Sequence, residues 1–265
     1  MIAQKEFNSA GRLIFLETIR IARIMRPYAK WGFYGFPYCN YDAGHNGEFT
    51  CADNFQAHND DLAFIMKAGN ALFPSLYLGD NRAHRNFRYI QAILAESRRI
   101  ALTADHPLDI YPYSKFEYDP YDEMRIEEFY EKRDLCNSIK QSADAGTAGI
   151  ILWSTSKRMW KPRCSMIGDF VERTLGPTVS LIAHRARKCS RKLCNDRGRC
   201  VLEGPSDRCV FRMIPSMYRC ECDPQYTGEF CEKHVRFPWF AIDNSIYGQE
   251  DEVFDDEPLT NTFFK

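Results

Sequence analysis

Apolar residues recur over the first 185 positions in two alternating patterns: short runs that fit strands, and longer stretches with the period of a helix. Residues 5 to 26 place Phe7, Ile14, Ile21 and Met25 at helical spacing and stop before Pro27, which predicts an amphipathic helix. Gly32 to Phe36 then reads as a buried strand, and Cys39 to Cys51 as an Asn-, Asp- and Gly-rich loop that a disulfide could close. Such a short bridge contributes ~3 kcal/mol by chain entropy. The unit repeats as helix Asp60 to Asn70, strand Ser75 to Leu78, helix Ala83 to Ala104, strand Leu108 to Tyr113, helix Arg125 to Ala145, strand Gly149 to Trp153 and helix Cys164 to Leu175. Strands alternating with long helices predict an α/β fold of parallel βαβ units. Four short apolar strands fit part of a TIM-like (β/α) barrel; closure takes about eight, and four leave two open edges.

The pattern changes near Arg185. Arg185, Arg187, Lys188, Arg191, Lys192, Arg197 and Arg199 interleave with Cys189, Cys194 and Cys200, which marks the start of a small disulfide-rich module. Cys220-x-Cys222 followed by Cys231, with Tyr226-Thr227-Gly228 between, resembles the end of an EGF-like module. That resemblance implies the pairs Cys189 with Cys200, Cys194 with Cys220, and Cys222 with Cys231. Beyond Cys231 periodicity is weak and two acidic groups appear, Glu250-Asp251-Glu252 and Asp255-Asp256-Glu257. The expected organisation is a partial barrel over 1–185, an EGF-like module over 186–235 and an acidic tail over 236–265.

Composition narrows the function. With 35 basic and 36 acidic residues the net charge is −1, so no global field favours nucleic acid or an anionic membrane. No apolar run approaches the length of a membrane span. Eleven cysteines without a Cys-x-x-Cys pair point to disulfides in an oxidising compartment and away from structural zinc. The opening Gln4-Lys5-Glu6-Phe7-Asn8 does not read as a signal peptide. No metal or cofactor is expected.

The candidate chemistry lies at the strand ends. Trp31-Gly32-Phe33-Tyr34-Gly35-Phe36-Pro37-Tyr38-Cys39, Leu76-Tyr77-Leu78 and Ile150-Ile151-Leu152-Trp153 each carry a polar-tipped aromatic. In a barrel they share one face, and pyranose C–H faces pack on such rings while a tyrosine hydroxyl can donate to an amide carbonyl. The plainer alternative is that these rings fill core.

Arg26-Pro27 before WGFYGFPYC, Ala71-Leu72-Phe73-Pro74-Ser75-Leu76-Tyr77, Ala148-Gly149-Ile150-Ile151-Leu152-Trp153, Cys164 ahead of Thr174-Leu175-Gly176-Pro177, and the EGF-like cysteines occur in one order. Together they resemble the C-terminal portion of the hyaluronidases, the glycosidase family of the bee-venom, sperm and lysosomal enzymes. The resemblance implies a distorted (β/α) barrel, an extracellular or lysosomal location, and a glycosaminoglycan partner, hyaluronan or chondroitin. It implies cleavage of β-1,4 bonds beside N-acetylhexosamine by substrate-assisted retention: a glutamic acid protonates the leaving oxygen while the substrate's acetamide attacks. Tyr34 then lines the cleavage subsite, the Tyr77 hydroxyl holds the N-acetyl group, Trp153 walls its pocket, and Tyr113 and Asp119 occupy matching cleft positions.

The departures matter equally. The family's catalytic Asp-x-Glu strand has no counterpart, and Asp122-Glu123, Glu127-Glu128 and Asp256-Glu257 fall in helical or tail contexts. The chain alone is therefore expected to be inactive, with its signal peptide and catalytic strand in an upstream part. The alternative is a non-catalytic carbohydrate-binding or adhesion protein. Cys164 is expected to be unpaired, because the resemblance pairs its counterpart with a cysteine nearer the N-terminus. A basic cleft position aligns with Ile93, for which Arg88 or Arg98 could substitute. Cys136 and Cys209 are left open: paired, free, or bridging chains. The basic run from Arg185 to Arg199 is either a glycosaminoglycan surface or a solvated face.

Overall fold

Four extended segments lie side by side in parallel, in the order of the chain. The computed structural model describes residues 2–235 apart from positions 123, 158 and 205, so the tail expected over 236–265 lies outside the described residues. Helix α1 (Ile2–Met25) precedes the extended segment 31–35, and α2 (Asp53–Asp61) and α3 (Ala63–Ala68) precede β1 (Ala71–Leu72). Helix α4 (Ala83–Leu102) leads to β2 (Asp109–Ile110) and β3 (Tyr113–Ser114). Next, α5 (Lys132–Leu135), a π-helical turn (Cys136–Lys140) and α6 (Gln141–Asp144) lead to β4 (Ile151–Leu152). Helix α7 (Lys161–Phe170), a second π-helical turn (Val171–Leu175) and α8 (Gly176–Leu193) complete this part.

Parallel pairings join β1 to β2 and β3 to β4, and bridges at Tyr34–Phe73 and Ser75–Tyr113 tie the segments together. The Tyr111 and Tyr113 amides donate to Leu72 and Pro74 carbonyls, and the Trp153 amide to Ser114, continuing the ladder. Among the described residues the ladder stays open. Side chains alternate across it. Leu76 and Leu78 turn into an apolar core that also holds Ile90, Ile93, Leu94, Leu135 and Ile139, and Leu72 and Ile110 into a second one with Met66, Ile100 and Leu108. The residues between them turn the other way, and they make the site described below.

Several elements differ from expectation for local reasons. On α1 the stripe Phe7, Ile14, Ile21 and Met25 is exposed, while Ile19 is buried and Phe15 meets Phe33 edge-on at 4.9 Å. Periodicity finds the helix; docking chooses the face. The single helix expected over Asp60 to Asn70 is two, beginning at Asp53, because the polar DNFQAHNDD run carries little apolar periodicity. The helix expected from Arg125 begins at Lys132, since 115–131 folds back on itself: the Tyr118 amide donates to Glu128 and the Tyr130 amide to Phe116. The helix expected to end at Leu175 resumes as α8 and runs to Leu193. The π-helical turn lets the Gly176 amide reach the Val171 carbonyl, five residues back, so Pro177 falls in the first turn of α8, where a missing N–H costs little.

The disulfide-rich segment pairs β5 (Gly198–Leu202) with β6 (Tyr218–Cys222), and β7 (Tyr226–Thr227) with β8 (Lys233–His234), both antiparallel. Disulfides join Cys39 to Cys51, Cys136 to Cys209, Cys189 to Cys200, Cys194 to Cys220, and Cys222 to Cys231. Cys164 is free and exposed. Part of the basic run is used internally: Arg185 donates to the Phe211 carbonyl, Arg197 lies 4.8 Å from the centre of the Tyr226 ring, and Arg199 pairs with Asp109 at 2.8 Å.

Candidate active site

At the C-terminal ends of the parallel segments, alternate side chains bring Tyr34, Tyr77, Tyr113 and Trp153 onto one face. The Tyr34 ring meets Tyr113 edge-on at 5.0 Å and Tyr77 at 6.3 Å, and Tyr77 meets Trp153 at 5.6 Å. The Trp153 indole N–H donates to the Tyr77 hydroxyl oxygen, and the Tyr34 hydroxyl donates to Ser75 Oγ at 3.4 Å. Burial first, and then the neighbouring Tyr34, hold the Tyr77 pKa far above the ordinary phenol value. Its O–H therefore stays on as a donor. Tyr34 is half-exposed and opens the cluster to solvent.

Two glycines make room for this arrangement. A Cβ on Gly32 would stand 2.2 Å from the Ala71 carbonyl oxygen, so only glycine lets segment 31–35 approach β1 so closely. Gly35 holds φ at +88°, which turns the chain immediately after Tyr34.

The same alternation brings in residues that sequence reading missed. Lys115, two residues past Tyr113, is buried with its ammonium 4.8, 5.4 and 4.4 Å from the ring centres of Tyr77, Trp153 and Tyr121. Burial lowers its pKa, while the charges of Asp119 and Glu117 oppose that shift. Glu117 is fully buried and faces the equally buried Arg163 of α7, with Nη2 at 2.9 Å from Oε1 and 3.2 Å from Oε2. Only the Oε2 contact has hydrogen-bond geometry; Oε1 accepts no hydrogen bond, so charge alone holds that side. Ser154 Oγ also donates to Oε2, fixing the residue after Trp153. The usable signal was the alternation itself, since Tyr113, Lys115 and Glu117 follow one another at every second position just beyond the end of the apolar run.

Asp119, the remaining expected site residue, meets the cluster through its charge, which acts on the Lys115 ammonium among the rings. Asp119 sits on an exposed turn with φ at +26°. Asp122, Glu127 and Glu128 are exposed on the irregular 115–131 segment, not on a helix; Asp122 accepts from the Met124 amide and Glu128 pairs with Arg125. Ile93 is core. Neither arginine considered as its replacement reaches the rings: Arg88 donates to the Gly44 carbonyl, and Arg98 to the Ala145 carbonyl and Glu221.

Comparison with known proteins places the cluster in context. The family model described as hyaluronidase matches residues 1–236. The chain belongs to the hyaluronidase family. It is 32% identical over 239 residues to a chondroitin hydrolase of Caenorhabditis elegans, covering 88% of this chain and 50% of that protein. It is 32% identical over 229 residues to hyaluronidase-1 of Homo sapiens, covering 84% and 52%. The chain thus spans about half the length of these hyaluronidase relatives. Its fold, a mixture of helices and parallel strands, resembles bee venom hyaluronidase in complex with a hyaluronic acid tetramer. That likeness has a TM-score of 0.61 and 27% identity, over 68% of this chain and 56% of the other.

Proposed function

We propose that this chain forms the aromatic part of a hyaluronidase-type cleft that takes hyaluronan or chondroitin and serves hydrolysis of the β-1,4 bond beside N-acetylhexosamine. The observation that carries the reading is the convergence of Tyr34, Tyr77, Tyr113 and Trp153 at the C-terminal ends of four parallel segments, where barrel enzymes bind substrate. In this reading the substrate's acetamide is the nucleophile, so no protein nucleophile is required. The Tyr77 hydroxyl, kept protonated by burial, donates to the acetamide carbonyl. Trp153 orients that hydroxyl and walls the pocket, Tyr34 lines the cleavage subsite, Tyr113 supports it, and Asp119 stands at the mouth.

The general acid is not assigned to this chain. Glu117 is held by Arg163 and Asp119 lies on an exposed turn, so neither delivers a proton to the leaving oxygen. The 265 residues alone are therefore expected to bind the glycan without cutting it. Five disulfides support an extracellular or lysosomal setting, and the paired hairpins of 198–234 support the EGF-like reading of that module. Among the described residues no helix is long and apolar enough to cross a membrane.

Titration of the chain with hyaluronan oligosaccharides tests the reading. Trp153→Ala is expected to weaken binding roughly 10-fold, the scale of a lost aromatic contact, while Tyr77→Phe keeps the ring and loses the acetamide donor. Unchanged binding in both variants overturns the cleft assignment. Shortening of hyaluronan by the purified chain, above a heat-killed control, overturns its expected inactivity.

A further inference from the structure

Lys115 differs from the other buried cations. The Lys140 ammonium reaches Asp144 and the Tyr218 hydroxyl, and the Arg163 guanidinium reaches Glu117. Lys115 is only 6% exposed, yet among the described residues its ammonium has neither an ion pair nor a hydrogen bond, only the faces of three rings. The ammonium tip keeps contact with solvent, so water meets its three N–H donors in the free protein, while the aromatic faces meet its charge and leave those donors open to an incoming oxygen acceptor. Lys157 is a poor substitute, being exposed and 6.0 Å from the Tyr121 ring alone.

We propose that the Lys115 ammonium reads a uronate carboxylate of the bound glycosaminoglycan, a role that rests on the cleft assigned above. Hyaluronan and chondroitin carry a carboxylate on every second sugar. Rings that stack on pyranose C–H faces cannot tell a uronate from a neutral hexose, so the distinction has to come from charge. Lys115 stands beside the two rings assigned to the N-acetyl pocket, Tyr77 and Trp153, where the carboxylate of an adjoining sugar supplies the acceptor its ammonium lacks. An anion there replaces water on the ammonium with a charge-assisted hydrogen bond. Burial lowers the Lys115 pKa, and the charges of Asp119 and Glu117 oppose that shift.

The test compares a short hyaluronan oligosaccharide with the same oligosaccharide whose carboxylates have been reduced to primary alcohols, by calorimetry on the full chain. The parent is expected to bind the native form about 10-fold more tightly, the scale of one hydrogen bond to a charged group. Lys115→Met should bind both forms as the parent binds the reduced one, and Lys115→Arg should restore the preference. If Lys115→Met retains the preference, or the parent shows none while binding both forms, the carboxylate role falls and the cleft stands. If the parent binds neither form, both fall.

Discussion

Removing Arg163 alone should destabilise the protein severely, and removing its partner as well should restore most of the loss. The Arg163 and Glu117 side chains are 1% and 0% exposed, so Arg163→Met strands a carboxylate in the interior with Ser154 as its remaining partner. Breaking a buried pair in this way costs ~3–5 kcal/mol, a large share of a domain's ~5–15 kcal/mol. Glu117→Leu strands the guanidinium, leaving it the Ile126 carbonyl, and should cost a similar amount. The native pair is itself incompletely satisfied, since Glu117 Oε1 and Arg163 Nε make no hydrogen bond. Its net contribution is therefore small, and the double variant should lie within ~1 kcal/mol of the parent or above it. The coupling between the sites is then at least ~5 kcal/mol, far beyond the ~0.5 kcal/mol seen for independent positions. Urea unfolding followed by tryptophan fluorescence gives all four midpoints, with unchanged m-values as the check on a two-state comparison. Single variants that each lose under ~1 kcal/mol, or a double variant that loses the sum, would refute the reasoning.

Replacing Cys136 and Cys209 with serine should cost ~4 kcal/mol against ~3 kcal/mol for Cys39 and Cys51, because the sequence separations are 73 and 12 residues; a reversed order of urea midpoints argues against a chain-entropy origin. Asp80 is held at a pKa of about 2, against 3.8, mainly by the Arg82 side chain. Because the folded pKa lies below the unfolded one, this stabilisation, ~2 kcal/mol, is present above pH ~4 and lost as pH falls toward ~2. Asp80→Asn should remove that part of the acid limb, and parallel pH profiles for variant and parent would count against it.

The sequence carried the order of elements, because strands and helices impose different spacings on apolar residues, and those spacings survive without a partner. It also carried the aromatic strand ends, since a tyrosine or tryptophan closing an apolar run is a local signal. It could not say which stripe of α1 is buried, because Phe7, Ile14 and Ile21 have the same period as the face that docks. Nor could it show that Pro177 lies within a resumed helix, which depends on the wider turn before it. The pairing of Cys136 with Cys209 required two distant segments to meet. Lys115 and Glu117 stand two residues apart with opposite charges, yet one faces three rings and the other an arginine on α7. Local sequence sets the side of the strand on which a side chain emerges; only the neighbours assembled by the fold decide what its charge will meet.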